Sequence, residues 1–233
     1  MDFEYTIANN QVTITKYTGT SKDVTIPNEI EGLPVTTIAI YAFYSNKLTS
    51  INLPQNLTTI RQSAFRNNRL TSISLPQNCT TIGYFTFADN ELTSISLPQN
   101  YTTIGNFAFH NNFLTSISLP QNCTTIGENA FHYNMLTSIN LPQNLKTIGE
   151  WAFRANMLTS ISLPNKFRTK KHIKYIFDFS LEEFENRNKK FIKPCLAKIL
   201  EDYVHHHFYD IIIDYMMIPS NELIQEVMET YKN

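Results

Sequence analysis

The chain has 233 residues, 42% of them hydrophobic, enough to bury a sizeable core either as a globular domain or as a repeat array. A net charge of −1 gives no global attraction to nucleic acid or to an anionic membrane. Charge density is uneven: residues 1–163 carry 8 Lys+Arg and 9 Asp+Glu, whereas the last 70 carry 11 of each, which marks a domain boundary.

The start, Met1-Asp2-Phe3-Glu4, is acidic and runs into an alternating pattern, without the basic and apolar stretches of a secretory signal. Residues 1–22 read as a hairpin cap. The most apolar run, Ile211-Ile212-Ile213, is far too short to span a bilayer; with the near-neutral charge, neither a membrane nor a nucleic acid is expected as partner.

From residue 23 to 165 self-similarity dominates. Leu48, Leu70, Leu92, Leu114, Leu136 and Leu158 each open Leu-Thr-Ser-Ile at a spacing of 22. An earlier, degenerate copy begins at Val24, 27 residues before Ile51, with a five-residue insertion around Glu31-Gly32-Leu33-Pro34. Within a copy, Leu92, Ile95 and Leu97 face inward from a short strand while Ser96 points out, and Pro98 ends the strand. Ile104 and Phe109 form the return side. Gly83, Gly105, Gly127 and Gly149 follow the return isoleucine, where a positive φ is expected; Arg61 takes that place in the first full copy.

Two asparagine columns run through the copies. Asn46, Asn68, Asn90, Asn112, Asn134 and Asn156 form one, and Asn56, Asn78, Asn100, Asn122 and Asn144 the other. A buried amide can satisfy the turn backbone of its own copy and of a neighbour. The second column also contains glycosylation sequons, such as Asn56-Leu57-Thr58, but a ladder asparagine committed inside the coil is expected to lie beyond a transferase's reach. Cys79 and Cys123 share a column two copies apart, about 10 Å at strand spacing, beyond the roughly 7 Å reach of a disulfide. They read as core residues of a reducing compartment.

This pattern, L-T-S-I-S-L-P…T-I-G-x-x-A-F-x-x-N, resembles the BspA-type leucine-rich repeat, with asparagine where that family usually has cysteine. The resemblance covers residues 3–164. It implies a leucine-rich-repeat solenoid, curved and mostly β, with an N-terminal hairpin cap, and a role in adhesion and protein recognition.

The copies differ mainly in three stripes. The outward Thr-Ser positions of the strands barely change, a uniformity that duplication alone explains. One variable stripe is Gln62-Ser63, Tyr84-Phe85, Asn106-Phe107, Glu128-Asn129 and Glu150-Trp151; the second is Arg66, Ala88, His110, His132 and Arg154; the third is Arg69, Glu91, Phe113, Met135 and Met157. Aromatic residues, Met and Arg are enriched at protein interfaces. Tyr84, Phe85, Phe107, Phe113, Met135, Trp151 and Met157 are therefore the candidate partner-binding residues. For Phe85, Phe107 and Trp151, padding of the convex side stands as an equal alternative.

Residues 166–233 read as an α-helical domain that caps the solenoid. Lys166, Arg168, Lys170, Lys171, His172 and Lys174 make a basic junction, with a nucleic-acid element as the lesser reading. Ser180-Leu181-Glu182-Glu183 has the form of a capping box, and further helices are expected after Pro194 and Ser220. Consecutive His205-His206-His207 point in different directions on a helix, and the pairs Glu201/His205 and His206/Asp210 supply two ligands each, short of a metal site. Cys195 has no recognisable His–acid partner set. The expectation is a monomeric, non-enzymatic scaffold without cofactor that binds another protein, cytoplasmic or delivered to a host cytosol as an effector-like or regulatory protein. A surface adhesin is the alternative, and an enzyme in the tail ranks last.

Overall fold

The computed structural model describes residues 2–180, together with Glu183, Phe184 and Asn186, which are helical. The readings placed at Cys195, His205–His207 and the helices after Pro194 and Ser220 lie outside the described residues. The chain divides into two compact units, Met1–Leu181 and Glu182–Asn233; the first holds all the repeat copies.

Strands β1 (Phe3–Ala8) and β2 (Gln11–Tyr17) pair antiparallel. Asn9 and Asn10 both adopt positive φ, the type I′ geometry whose twist suits a two-residue hairpin. Coil 1 follows with β3 (Asp23–Thr25), β4 (Glu29–Ile30) and β5 (Leu33–Ile38). The predicted insertion is a second small hairpin, β4 on β5, turning at Glu31 and Gly32 with φ of 53° and 73°. Parallel pairing of β2 with β5 seats the N-terminal hairpin on the first coil.

Coils 2–7 begin at Leu48, Leu70, Leu92, Leu114, Leu136 and Leu158. Their strands are β6 (Ser50–Asn52), β7 (Thr59–Ile60), β8 (Thr81–Ile82), β9 (Thr103–Ile104), β10 (Thr125–Ile126), β11 (Ser138–Asn140), β12 (Thr147–Ile148) and β13 (Ser160–Ser162). The Thr-Ile pairs of the return side form the more regular parallel ladder, from β8 through β9 and β10 to β12. On the Leu-Thr-Ser-Ile side the middle coils are joined by the isolated bridges Ser74–Ser96 and Ser96–Ser118 and by single backbone bonds such as Thr115 N–H to the Thr93 carbonyl (3.2 Å). Val24 pairs with Ile51, the alignment that the 27-residue spacing predicts.

The core is a set of columns. Phe43, Phe65, Phe87, Phe109, Phe131 and Phe153 stack ring on ring at 5.1–5.6 Å, all buried. Tyr17 extends the stack at one end, 5.6 Å from Phe43, and Phe177 at the other, 6.0 Å from Phe153, with Phe179 stacked on it at 5.0 Å. Beside it run Leu57, Cys79, Tyr101, Cys123, Leu145 and Phe167, so both cysteines are core residues and both are free thiols. Burial raises both thiol pKa values.

Of the inner asparagine column, Asn68, Asn90, Asn112 and Asn134 are buried as expected, while Asn156 and Asn46 at its ends are half-buried. Asn112 donates from Nδ2 to the carbonyls of Phe109 in its own coil (3.2 Å) and Phe87 in the preceding one (2.9 Å). Its Oδ1 accepts from the Leu92 N–H at 3.0 Å. The same three bonds recur at Asn68, Asn90, Asn134 and Asn156. The other column corrects the sequence reading. Asn56, Asn78, Asn122 and Asn144 are exposed and Asn100 is half-buried. There the amides of Asn78, Asn100 and Asn122 reach back to the carbonyls of Gln55, Gln77 and Gln99 on the surface.

The expected positive φ at the repeat glycines is also overturned: among the described glycines only Gly32 has one. These glycines are required by close approach. A Cβ on Gly105 would stand 2.7 Å from the Ile82 carbonyl oxygen and 2.8 Å from the Gly83 carbonyl carbon, where one coil's backbone lies on the next. On Gly127 and Gly149 it would run into the backbones of Asn106 and Glu128. Gly83 has more room, 3.1 Å to Thr86 Oγ1 and 3.4 Å to the Ile60 carbonyl oxygen.

The left-handed residues are elsewhere, at Tyr41, Ser63, Phe85, Phe107, Asn129 and Trp151, and again at Ser45, Asn67, Asp89, Asn111, Tyr133 and Ala155. Each coil therefore makes two such turns around its phenylalanine.

The basic junction folds as a helix, α1 (Lys170–Phe177). Thr169 caps it by accepting the His172 N–H, and Ile173, Ile176 and Phe177 are its buried face. The Tyr175 and Ile176 carbonyls accept from the N–H groups of Trp151 and Phe153, so α1 takes the place of a further coil and closes the array.

Candidate interaction surface

Each coil alternates burial at its strand entry. Asn112 is buried by its three bonds, Leu114 by the core, and Phe113 between them turns outward. The Phe113 N–H donates to the Leu92 carbonyl and the Met135 N–H to the Leu114 carbonyl, so the pre-strand positions of successive coils align. Phe113, Met135 and Met157 are 45%, 40% and 61% exposed in one column whose earlier members, Arg69 and Glu91, are charged. Exposed apolar residues gathered on neighbouring coils are worth more attention than scattered ones.

The second group sits on the turns. Tyr84 is exposed, while Phe85 and Phe107 are half-buried and stack at 4.5 Å. Tyr84 meets both edge-on, at 4.4 and 5.7 Å. The Arg66 guanidinium lies 4.3 Å over the Phe85 ring and is held by Asp89 at 2.9 Å. Beyond Phe107 the contacts continue through His110 (5.6 Å) to His132 (5.3 Å) and to the exposed Tyr133, which stacks on His132 at 4.2 Å.

His132 is buried, and that burial, with His110 and Arg154 nearby, pushes its pKa down to about 4. His110 is lowered too, mainly by burial. His110 Nδ1 and His132 Nε2 are buried without a hydrogen-bond partner, which favours neutral rings.

Of the sequence candidates, Tyr84, Phe85 and Phe107 come together as one cluster, and Phe113, Met135 and Met157 as one column. Trp151 belongs to the turn column with Phe85 and Phe107, under the Arg154 guanidinium at 4.6 Å. Buried Ala152 and Phe153 and the ladder residue Asn156 separate it along the coil from Met157. Sequence reasoning passed over Tyr133, which is exposed at a position otherwise held by small residues such as Asn67 and Asn111. It also passed over Tyr41 and Tyr44, exposed and in edge contact at 5.5 Å. Part of the signal was present in the sequence: Tyr133 and Tyr44 depart from their columns toward a large aromatic ring, and Tyr41 opens the column that holds Phe85, Phe107 and Trp151. Among the described residues no three His, Cys, Asp or Glu gather to hold a metal ion.

The sequence is matched by a family model, the BspA type leucine-rich repeat region, over residues 16–134 and 102–224. The chain belongs to the BspA-type leucine-rich-repeat family. No curated protein matches it. Among solved structures, this BspA-type array is similar to a leucine-rich cell surface protein from Faecalibacterium prausnitzii, with 26% identity and a TM-score of 0.57. The match covers 69% of this chain and 52% of that one, so this chain spans about half of that relative. The leucine-rich repeat protein of T. pallidum is 24% identical, with a TM-score of 0.52 and coverage of 70% and 81%. The pneumococcal vaccine antigen PcpA is 22% identical, with a TM-score of 0.53 and coverage of 69% and 47%. The last two speak to the fold alone. The array is thus a repeat scaffold of a type suited to protein interaction.

Proposed function

We propose that this BspA-type array is a non-enzymatic recognition protein, monomeric and free of cofactors, that binds another protein through its pre-strand column. One observation carries the reading: Phe113, Met135 and Met157 are exposed in alignment on three successive coils, where the fold gives them no core to fill. Apolar side chains kept in water at aligned positions are what a partner's surface would cover. The buried free thiols Cys79 and Cys123 fit a reducing compartment and an effector-like or regulatory role. The likeness to a cell surface protein favours a second reading, a surface adhesin-type protein using the same column.

Affinity capture on the intact chain, followed by titration of the captured partner, tests this. Phe113→Ala or Met135→Ala should weaken binding by about 1 kcal/mol or more, roughly fivefold, and Ser96→Ala much less. A serine effect larger than both apolar ones would move the binding surface to the strand face.

A further inference from the structure

The turns carry a second surface with a chemistry of its own. The Phe85 N–H donates to the Asn106 carbonyl (3.0 Å), Phe107 to Glu128 (2.8 Å) and Asn129 to Glu150 (2.9 Å). These bonds align the pairs Tyr84-Phe85, Asn106-Phe107, Glu128-Asn129 and Glu150-Trp151 in one row, stepped at about 4.8 Å per coil. The row is graded. Its first half is the Tyr84–Phe85–Phe107 ring cluster, and its second half carries two carboxylates beside Trp151.

The rings have no core role, because Ala108 and Phe109 already fill the interior beside them. They are also held at a backbone cost: Phe85 and Phe107 have φ of 55° and 57°, a region that the Asn129 of the next coil adopts more easily. The charges are equally pointed. Arg66 and Arg154 flank the row but are paired with Asp89 and Asp178. Among the described residues neither Glu128 nor Glu150 forms an ion pair; the Glu128 carboxylate accepts the Asn129 side-chain amide at 3.1 Å. The row therefore offers an apolar seat followed by unneutralised negative charge.

We infer that this row binds an extended segment of a partner protein bearing an aliphatic or aromatic residue and, four residues on, a Lys or Arg. Alternate residues of an extended chain face the same side, and four residues span about 13 Å. Tyr84 to Glu128 is two coil steps and to Glu150 three, about 10–14 Å at that same spacing. The apolar side chain rests on Tyr84 and Phe107. The cation reaches Glu128 and Glu150 between the Phe107 and Trp151 rings, where carboxylates and π faces both favour positive charge. This surface and its partner chemistry are distinct from the pre-strand column, so either can fail alone.

The test is panning of a random 12-residue peptide phage library on the intact chain, then titration of the enriched peptides in synthetic form. Enriched peptides should carry the apolar residue and the cation four apart. Their binding should weaken at least tenfold with Tyr84→Ala and with Glu128→Gln/Glu150→Gln, yet stay within twofold with Phe113→Ala, all variants melting as the parent does. No enrichment, acidic peptides, or binding indifferent to both turn variants overturns the inference. Peptides lost only with Phe113→Ala also overturn it, while supporting the pre-strand column. A concentration-dependent dimer in sedimentation that Tyr84→Ala abolishes would assign the row to a second copy of this chain instead.

Discussion

Asn112 and Phe113 adjoin in sequence, yet the first is buried and repeated in every full coil, and the second is exposed and replaced from coil to coil. The difference lies in what the neighbouring coil needs. Asn112 satisfies backbone groups of two coils at once, so any other side chain would strand a buried donor or acceptor. Phe113 gives the next coil only its backbone, which any residue can supply. At the pre-strand position the coil-to-coil bond is made by main chain, so an exposed side chain there is free to vary, and such positions are where a solenoid acquires specificity.

The contrast breaks most visibly at a constant position of the backbone itself. Gly127→Ala should cost about 3 kcal/mol, because the new methyl meets the Asn106 and Gly105 main chain, and Gly83→Ala only about 1 kcal/mol. Equal thermal midpoints for the two variants would show that the glycine column is not set by coil contact. Next comes the pair of asparagine columns. Asn112→Ala should cost about 1–3 kcal/mol and Asn122→Ala no more than about 0.5 kcal/mol. Denaturant melts that fail to separate them would remove the distinction between the buried and surface ladders.

A smaller effect sharpens the comparison within a variable stripe. His132 is folded with a pKa of about 4, below its ordinary 6.5, so the unfolded chain binds the proton first. Stability is therefore complete above about pH 6.5 and declines as the pH falls toward 4. His110, Arg154 and Asp178 face the ring and set how steep that decline is. His132→Ala, which copies Ala88 of coil 3, should flatten the dependence of the thermal midpoint between pH 6.5 and 4.5. Superimposable profiles for parent and variant would contradict the assignment.

Much of this was legible in the sequence because the period is a coil-to-coil distance written in residues. The Leu-Thr-Ser-Ile spacing located the coils, Glu31-Gly32 the inserted hairpin, and the Asn112 column the buried ladder. Reading failed where one residue type serves two physical ends. Both asparagine columns have the same spacing, and only the fold shows that one faces the core and the other water. Glycine was taken for a left-handed turn, whereas Gly105 is needed for its missing Cβ and the bulky Phe107 and Trp151 take the left-handed turns. The α-helical reading of residues 166–233 covered α1 without placing it: Lys170, Lys171 and Lys174 drew notice to a basic junction, while the Thr169 cap and the spacing of Ile173, Ile176 and Phe177 went unread. At the surface the variable stripes were visible as stripes, Trp151 with Phe85 and Phe107 among them, but the ring contacts that join Tyr84, Phe85 and Phe107 into one cluster were not.

The central claim, that constant columns hold the array while the pre-strand column recognises, is tested most directly by giving coils 4 and 5 the pre-strand residues of coils 2 and 3. The double variant Phe113→Arg/Met135→Glu should melt within about 2 °C of the parent. It should bind the captured partner at least about tenfold more weakly, 1.4 kcal/mol. Parent-like affinity in a variant that folds as the parent does would contradict the claim.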